Sequence, residues 1–142
     1  WPNDILVEGK KICGMLSEIE AEGDMLNYLN IGLGINVNNE PGPLAPNAVS
    51  LKQILGRPVS RKVLLGAFLE RLETRIGNGV LDNVISEWKE DSVTLGRHVR
   101  IVTTRDETEG KAIDVDDNGS LILQLADGSV KRIVYGDCFH TS

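Results

Sequence analysis

The 142 residues predict an α+β fold, and three observations carry that prediction. The first third alternates apolar and polar residues between tight Gly turns, as antiparallel strands do. The middle third places apolar residues at helical spacing behind a Ser cap. The last third returns to short strands separated by Asp, Asn and Gly. Such an order predicts an antiparallel or mixed sheet with helices, followed by a small β-barrel.

Residues 4–8 form a first short apolar strand, and Glu8-Gly9-Lys10 supplies a turn where Gly takes positive φ. Residues 11–22 read as a second strand, with Ile12, Gly14, Leu16, Glu18 and Glu20 on one side. Gly23-Asp24 turns again, and residues 25–36 form a third strand through Leu26, Tyr28 and Asn30. Connections this short require an antiparallel meander, because parallel pairing needs a long crossover. Residues 37–47 gather Asn38, Asn39, Pro41, Gly42, Pro43, Pro46 and Asn47. No regular element tolerates that density of breakers, and a loop so long is often functional or mobile.

Two helices follow the loop, over 48–55 and from the N-cap Ser60 to about Ile76. The second carries Val63, Leu64, Ala67, Phe68, Leu72 and Ile76 on one face, and Gly77-Asn78-Gly79 ends it. A last helix over about 80–90 buries Leu81, Val84, Ile85 and Trp88. The texture changes near Ser92. Strands at 98–102, 111–115, 120–125 and 129–134 are joined by turns at Asp116-Asp117-Asn118-Gly119 and Ala126-Asp127-Gly128. Asp106-Glu107-Thr108-Glu109 reads as a solvated hairpin tip. Four or five short strands make a small SH3-like or similar barrel, so the expected domains are 1–91 and 92–142.

Composition excludes several functions. A formal charge of −6 provides no basic field for nucleic acid. No apolar run approaches the ~20 residues that span a membrane. No basic-then-apolar leader opens the chain, and a start at Trp1 reads as a cut or processed piece. Cys13 and Cys138 are too far apart in sequence for a metal-type pair and suit a reducing, cytoplasmic setting. His98 and His140 read as structural or exposed, and Trp88 as core.

Three motifs stand in order: Trp1-Pro2-Asn3-Asp4, Lys11-Ile12-Cys13-Gly14-Met15-Leu16, and Gly32-Leu33-Gly34-Ile35-Asn36-Val37-Asn38. With Ala48-Val49-Ser50-Leu51 after them, they resemble the second half of a biotin protein ligase catalytic domain. The resemblance continues into the C-terminal barrel and covers nearly the whole chain. It implies a class II synthetase-like half domain followed by an SH3-like domain. The implied activity joins biotin to AMP using ATP, with Mg²⁺ accompanying the nucleotide. Biotin then passes to a lysine of a biotin carboxyl carrier domain.

The resemblance also implies roles for residues. Lys11 contacts the biotin carboxylate and the adenylate phosphate. A fixed cation suits that place, since negative charge builds on both reacting groups. Read without the family, Lys11 is more simply a solvated turn lysine. Asp4 orients Lys11 or an incoming amine through a charge-assisted hydrogen bond, or simply starts a strand. Asn3 and Pro2 set the backbone, while Trp1 either stacks or packs in a core. Gly14, Met15, Gly32 and Gly34 line the biotin and adenylate pocket, where a Cβ would collide with a flat ligand. Asn36 offers a donor and an acceptor to an adenine edge. Gly32-x-Gly34 is no dinucleotide fingerprint, because no third Gly follows and no helix opens there. The loop at 37–47 matches the family's adenylate-covering segment, whose closure excludes water. No carboxylate cluster reads as a dedicated metal site.

On this reading an upstream half is missing, together with the loop that grips biotin and phosphate. No helix-turn-helix supports a repressor role. Two other readings stand beside it. One is a non-catalytic interaction module, docking a carrier domain or a second copy as a homodimer. The other is a lipoate-type ligase, against which the Trp-Pro-Asn-Asp run and the C-terminal barrel argue.

Overall fold

The computed structural model describes residues 1–43, 45–77 and 83–141. It divides into two compact units, Pro2–Arg71 and Trp1 with Leu72–Ser142.

In the first unit, β1 (Asp4–Val7), β2 (Lys10–Glu22) and β3 (Met25–Ile35) form the expected antiparallel meander in the order β1-β2-β3. Glu8 and Gly9 close the first hairpin with φ of 50° and 76°. Both angles lie where a two-residue turn follows the right-handed twist of its strands. Helix α1 (Leu51–Leu55) is shorter than expected. Ala48 forms a parallel bridge with Lys11, and Ser50 becomes the N-cap. The buried Ser50 accepts from the Gln53 backbone N–H while Gln53 Oε1 accepts from the Ser50 N–H at 3.0 Å. This capping box satisfies two groups that the first turn would leave bare.

Strand alternation sorts β2 and β3 into two faces. Gly14 opposes Gly34, Leu16 opposes Gly32, and Glu18 opposes Asn30. The other face carries Ile19 opposite Leu29 and Ser17 opposite Ile31. Sequence alternation alone leads one to expect a covered apolar side. Instead Leu16, Ile19 and Ile31 are 75%, 66% and 53% exposed. Helix α2 (Arg61–Gly77) begins after Ser60 as expected and likewise buries no residue, with Val63 70% exposed. Apolar surface left uncovered in this way is more than scattered single exposed residues account for.

The second unit holds α3 (Val84–Asp91) and the strands β4 (His98–Val102), β5 (Glu107–Val115), β6 (Leu121–Gln124), β7 (Val130–Ile133) and β8 (Asp137–His140). The expected helix start at Val80 and Leu81, and the Asn78-Gly79 stop, fall outside the described residues. The strands pair antiparallel in the order β7-β6-β5-β4-β8, as the SH3-like barrel expectation requires. The supposed hairpin tip at 106–109 is corrected. Glu107, Thr108 and Glu109 pair with Val102, Ile101 and Arg100, and the turn falls at 103–106, closed by Thr103 N–H to Asp106 O at 2.9 Å. Local charge misled the reading, because an edge of β-ladder tolerates acids that face solvent.

Val99, Ile101, Ala112, Val115, Leu121, Leu123 and Ile133 form the buried core. Trp1, Ile85 and Trp88 pack against it, and the Trp1 indole donates to Gly119 O at 3.2 Å. Trp1 is therefore a packing residue. Leu123→Ala should lower stability by about 3 kcal/mol, since a fully buried Leu leaves a cavity. Val63→Ala should change it by about 0.5 kcal/mol or less. Urea unfolding of the two variants measures the difference, and equal losses would contradict the uncovered state of α2.

Candidate active site

One extra residue builds the site. Asp4 pairs with Gly14 and Ile5 with Cys13, but Leu6 pairs with Lys11, so Ile12 bulges out of register. In a regular strand, residues 11 and 14 would face opposite sides. The bulge resets the alternation, bringing Lys11 to the face of Asp4 and Gly14 and turning Ile12 away from it into burial. The sequence expectation that Ile12 shares a side with Gly14 and Leu16 is corrected on this ground. Lys11 Nζ lies 2.7 Å from Asp4 Oδ1, with the two side chains 48% and 36% exposed.

Lys11, Gly14, Gly32 and Gly34 line an open cavity of about 570 Å³, together with Asn3, Met15, Leu16 and Leu33. That volume suits a small-molecule ligand. Met15 sits one step out of phase with Gly14, opposite Leu33. Around Gly32 and Gly34 the chain leaves room. An added Cβ would meet only Leu16 O at 3.7 Å and Gly14 O at 3.6 Å, which are ordinary contacts. Nothing in the folded chain requires glycine at either place, so the bare backbone there is free for a ligand.

Asn3 is a residue that sequence reasoning underused. Its Nδ2 donates to Met15 O at 2.5 Å, and its backbone carbonyl accepts from Met15 N–H at 3.0 Å. The side chain thus acts as a further rung between the segment before β1 and β2, at the cavity's rim. The signal was present: an Asn just before a strand readily bonds backbone groups.

Asn36 is not among the cavity's lining residues. It follows β3, donates its N–H to Ile12 O at 2.8 Å, and its Oδ1 accepts from Asn39 Nδ2 at 2.9 Å. Asn38 clamps the backbone of Val59 through two bonds of 2.8 Å each. At the far end of the loop, Lys11 N–H donates to Asn47 O at 2.7 Å and Val49 N–H donates to Lys11 O at 2.9 Å. The loop expected at 37–47 is therefore tied at both ends to the strand that carries Lys11. Exposed Lys52 and Glu40 pair at 2.9 Å, and that ammonium holds the Glu40 carboxyl below its usual range.

Burial pushes the Cys13 thiol up, the Asp4 carboxylate pushes it further, and the Lys11 ammonium opposes them. Cys13 accordingly reports on the neighbouring pair. Asp4→Asn should lower its pKa and Lys11→Met should raise it. Following the Cys13 ¹³Cβ shift against pH in a Cys138→Ser background tests both signs. Identical titrations in all three proteins would place the pair too far from the thiol to matter. His98 and His140 take no part in the cavity, and His140 Nε2 lies 3.2 Å from the Thr94 hydroxyl in the other unit. Among the described residues no three His, Cys, Asp or Glu side chains gather as metal ligands, and no helix is long and apolar enough to cross a membrane.

Comparison with known proteins agrees with the motif order. Residues 94–141 match the family described as the Biotin protein ligase C terminal domain. The chain is 34% identical to the bifunctional ligase/repressor BirA of Bacillus subtilis, over 96% of this chain and 44% of that protein. It is 29% identical to the biotin--[acetyl-CoA-carboxylase] ligase of Mycobacterium tuberculosis, over 99% of this chain and 52% of the relative. A solved structure of the biotin protein ligase from Aquifex aeolicus in complex with biotin and ATP superposes with a TM-score of 0.78 at 25% identity, covering 99% of this chain and 60% of that one. The chain spans about half the length of the curated relatives it matches. Sheet, barrel and motif order together make this chain a relative of the biotin protein ligases, corresponding to their C-terminal part.

Proposed function

We propose that this chain is the C-terminal portion of an enzyme that activates biotin with ATP to biotinyl-5′-AMP and transfers the biotin to a lysine of a carrier protein. Residues 1–91 would be the end of its catalytic domain, and residues 92–142 its SH3-like domain. The observation that carries the reading is one ammonium, Lys11, on the same sheet face as a bare glycine patch. A flat adenylate can lie on backbone there while its phosphate and acyl oxygens meet the cation.

Two steps follow from that arrangement. A biotin carboxylate oxygen attacks the α-phosphorus of ATP, and pyrophosphate leaves. Lys11 lowers the barrier by offsetting the repulsion between the carboxylate and the α-phosphate and by meeting charge on the phosphoryl oxygens, without forming a covalent bond itself. The amine of the carrier lysine then attacks the acyl carbon and AMP departs. Asp4 pairs with Lys11 at 2.7 Å, and its carboxylate would orient that ammonium or an approaching amine through a charge-assisted hydrogen bond. Asn36, outside the glycine-lined cavity and bonded to Asn39, would turn its amide to the base once the adenylate is bound, and the tethered loop would then cover the anhydride from water. Mg²⁺ would accompany the ATP phosphates and neutralise part of their charge. Reaction in the reducing cytoplasm matches two free thiols.

The uncovered apolar faces of β2, β3 and α2 support a further part of the reading. The portion of a ligase that lies upstream in the relatives would cover them and supply the remaining walls of the site. A non-catalytic docking module, or a homodimer through the same faces, accounts for the exposed apolar residues but not for the Lys11 and glycine arrangement.

Calorimetric titration with a non-hydrolysable biotinyl-AMP analogue tests this. Binding is expected when an upstream ligase half is supplied, and not to the chain alone. The chain alone should also release no AMP from biotin and ATP. In the reconstituted complex Lys11→Met should weaken the analogue about 10- to 100-fold, as loss of a charge-assisted contact does. Gly32→Ala should weaken it at least tenfold while changing stability by about 1 kcal/mol or less. Folded material that binds in neither state would favour the docking module.

A further inference from the structure

The glycines around the cavity are bare for different reasons. An added Cβ at Gly32 or Gly34 would find ordinary space, but one at Gly14 would lie 3.1 Å from both Lys11 Cε and Lys11 Nζ, and 3.3 Å from Asp4 Oδ1. Three atoms of the ion pair crowd that single point. Gly14 is opposite Asp4 in the β1–β2 ladder, and the bulge at Ile12 swings Lys11 onto the same face. Where it pairs with Asp4 at 2.7 Å, the lysine tip lies 3.1 Å from the point where a side chain at residue 14 would begin.

We infer that Gly14 is a positioning residue for Lys11: its missing side chain is the channel through which the bulge-directed lysine reaches Asp4. The inference rests on Lys11 being the working cation, yet its geometry needs neither biotin nor ATP. Two devices then share the work. The bulge chooses the face, and Gly14 sets where along that face the ammonium comes to rest. Two of the atoms that crowd residue 14 are the far end of the flexible lysine and the third is the Asp4 carboxylate oxygen, so the ion pair, and not the backbone, gives way by a few tenths of an ångström when a methyl is placed there. Gly14 carries no positive φ, which leaves Ala without backbone strain.

The experiment measures acetylation of individual lysines in the whole chain by sulfosuccinimidyl acetate, followed by peptide mass spectrometry. Gly14→Ala should raise the Lys11 rate about threefold, the factor expected on losing a partly exposed ion pair. Asp4→Asn should raise it as much, and the double variant should show no further increase. Gly32→Ala and Gly34→Ala should leave Lys11 at the wild-type rate, as should every variant the rate at Lys62. An unchanged Lys11 rate in Gly14→Ala, or multiplicative effects in the double variant, would overturn the inference. Unfolding of Gly14→Ala in a Lys11→Ala background would overturn it too, by showing that Gly14 answers to packing and not to the lysine. Because no substrate is present, a failed analogue titration would count against the ligase reading alone, and an unchanged Lys11 rate against the Gly14 role alone.

Discussion

The register slip at Ile12 is what the rest of the site depends on. Strand pairing allows only two directions for a side chain, and the spacing of three between Lys11 and Gly14 would separate them. One unpaired residue changes that parity. It brings Lys11 over the glycine patch and against Asp4, and it sends Ile12 into the buried layer with Cys13 and Val37. The same segment also pairs outward through Lys11 to residues 47 and 49, which close the long loop. A single backbone irregularity thus sets the cation, its counter-ion and the mouth of the loop at once.

Each unit is stabilised by different means. The barrel encloses Val99, Ile101, Leu121 and Leu123 completely, and apolar burial dominates its stability. The meander buries little beyond Ile12, Cys13 and Val37, and relies on its ladder, two tight turns and the Ser50 cap. A three-stranded sheet that leaves Ile19 and Ile31 in water forgoes most of its hydrophobic stabilisation.

Exposure also shapes the chemistry. Lys11 and Asp4 are half-exposed here, so solvent screens their attraction. Walls added over the glycine patch would exclude that water and strengthen every interaction of the ammonium with a bound anion. The asparagines after β3 provide anchorage for such a change: Asn38 grips Val59, and Asn39 steadies Asn36.

Much was readable from the residues alone. Alternation and Gly turns determined the meander, Ser60 the start of the long helix, and the Asp-Asn-Gly turns the barrel hairpins, because each is a local preference of backbone or cap. The order Trp-Pro-Asn-Asp, Lys11, Gly14, Gly32-x-Gly34 points to the family by sequence alone. Tertiary structure decided the rest. A bulge is a matter of register between two strands, and no single strand announces it. Whether the apolar face of α2 is covered depends on what lies against it, which periodicity cannot state. Helix α1 starts at Leu51 behind the Ser50 cap, and not at residue 48, because Ala48 is drawn into a bridge with Lys11, a partner 37 positions away in the chain. Local propensities chose the elements; long-range pairing chose which of their side chains meet.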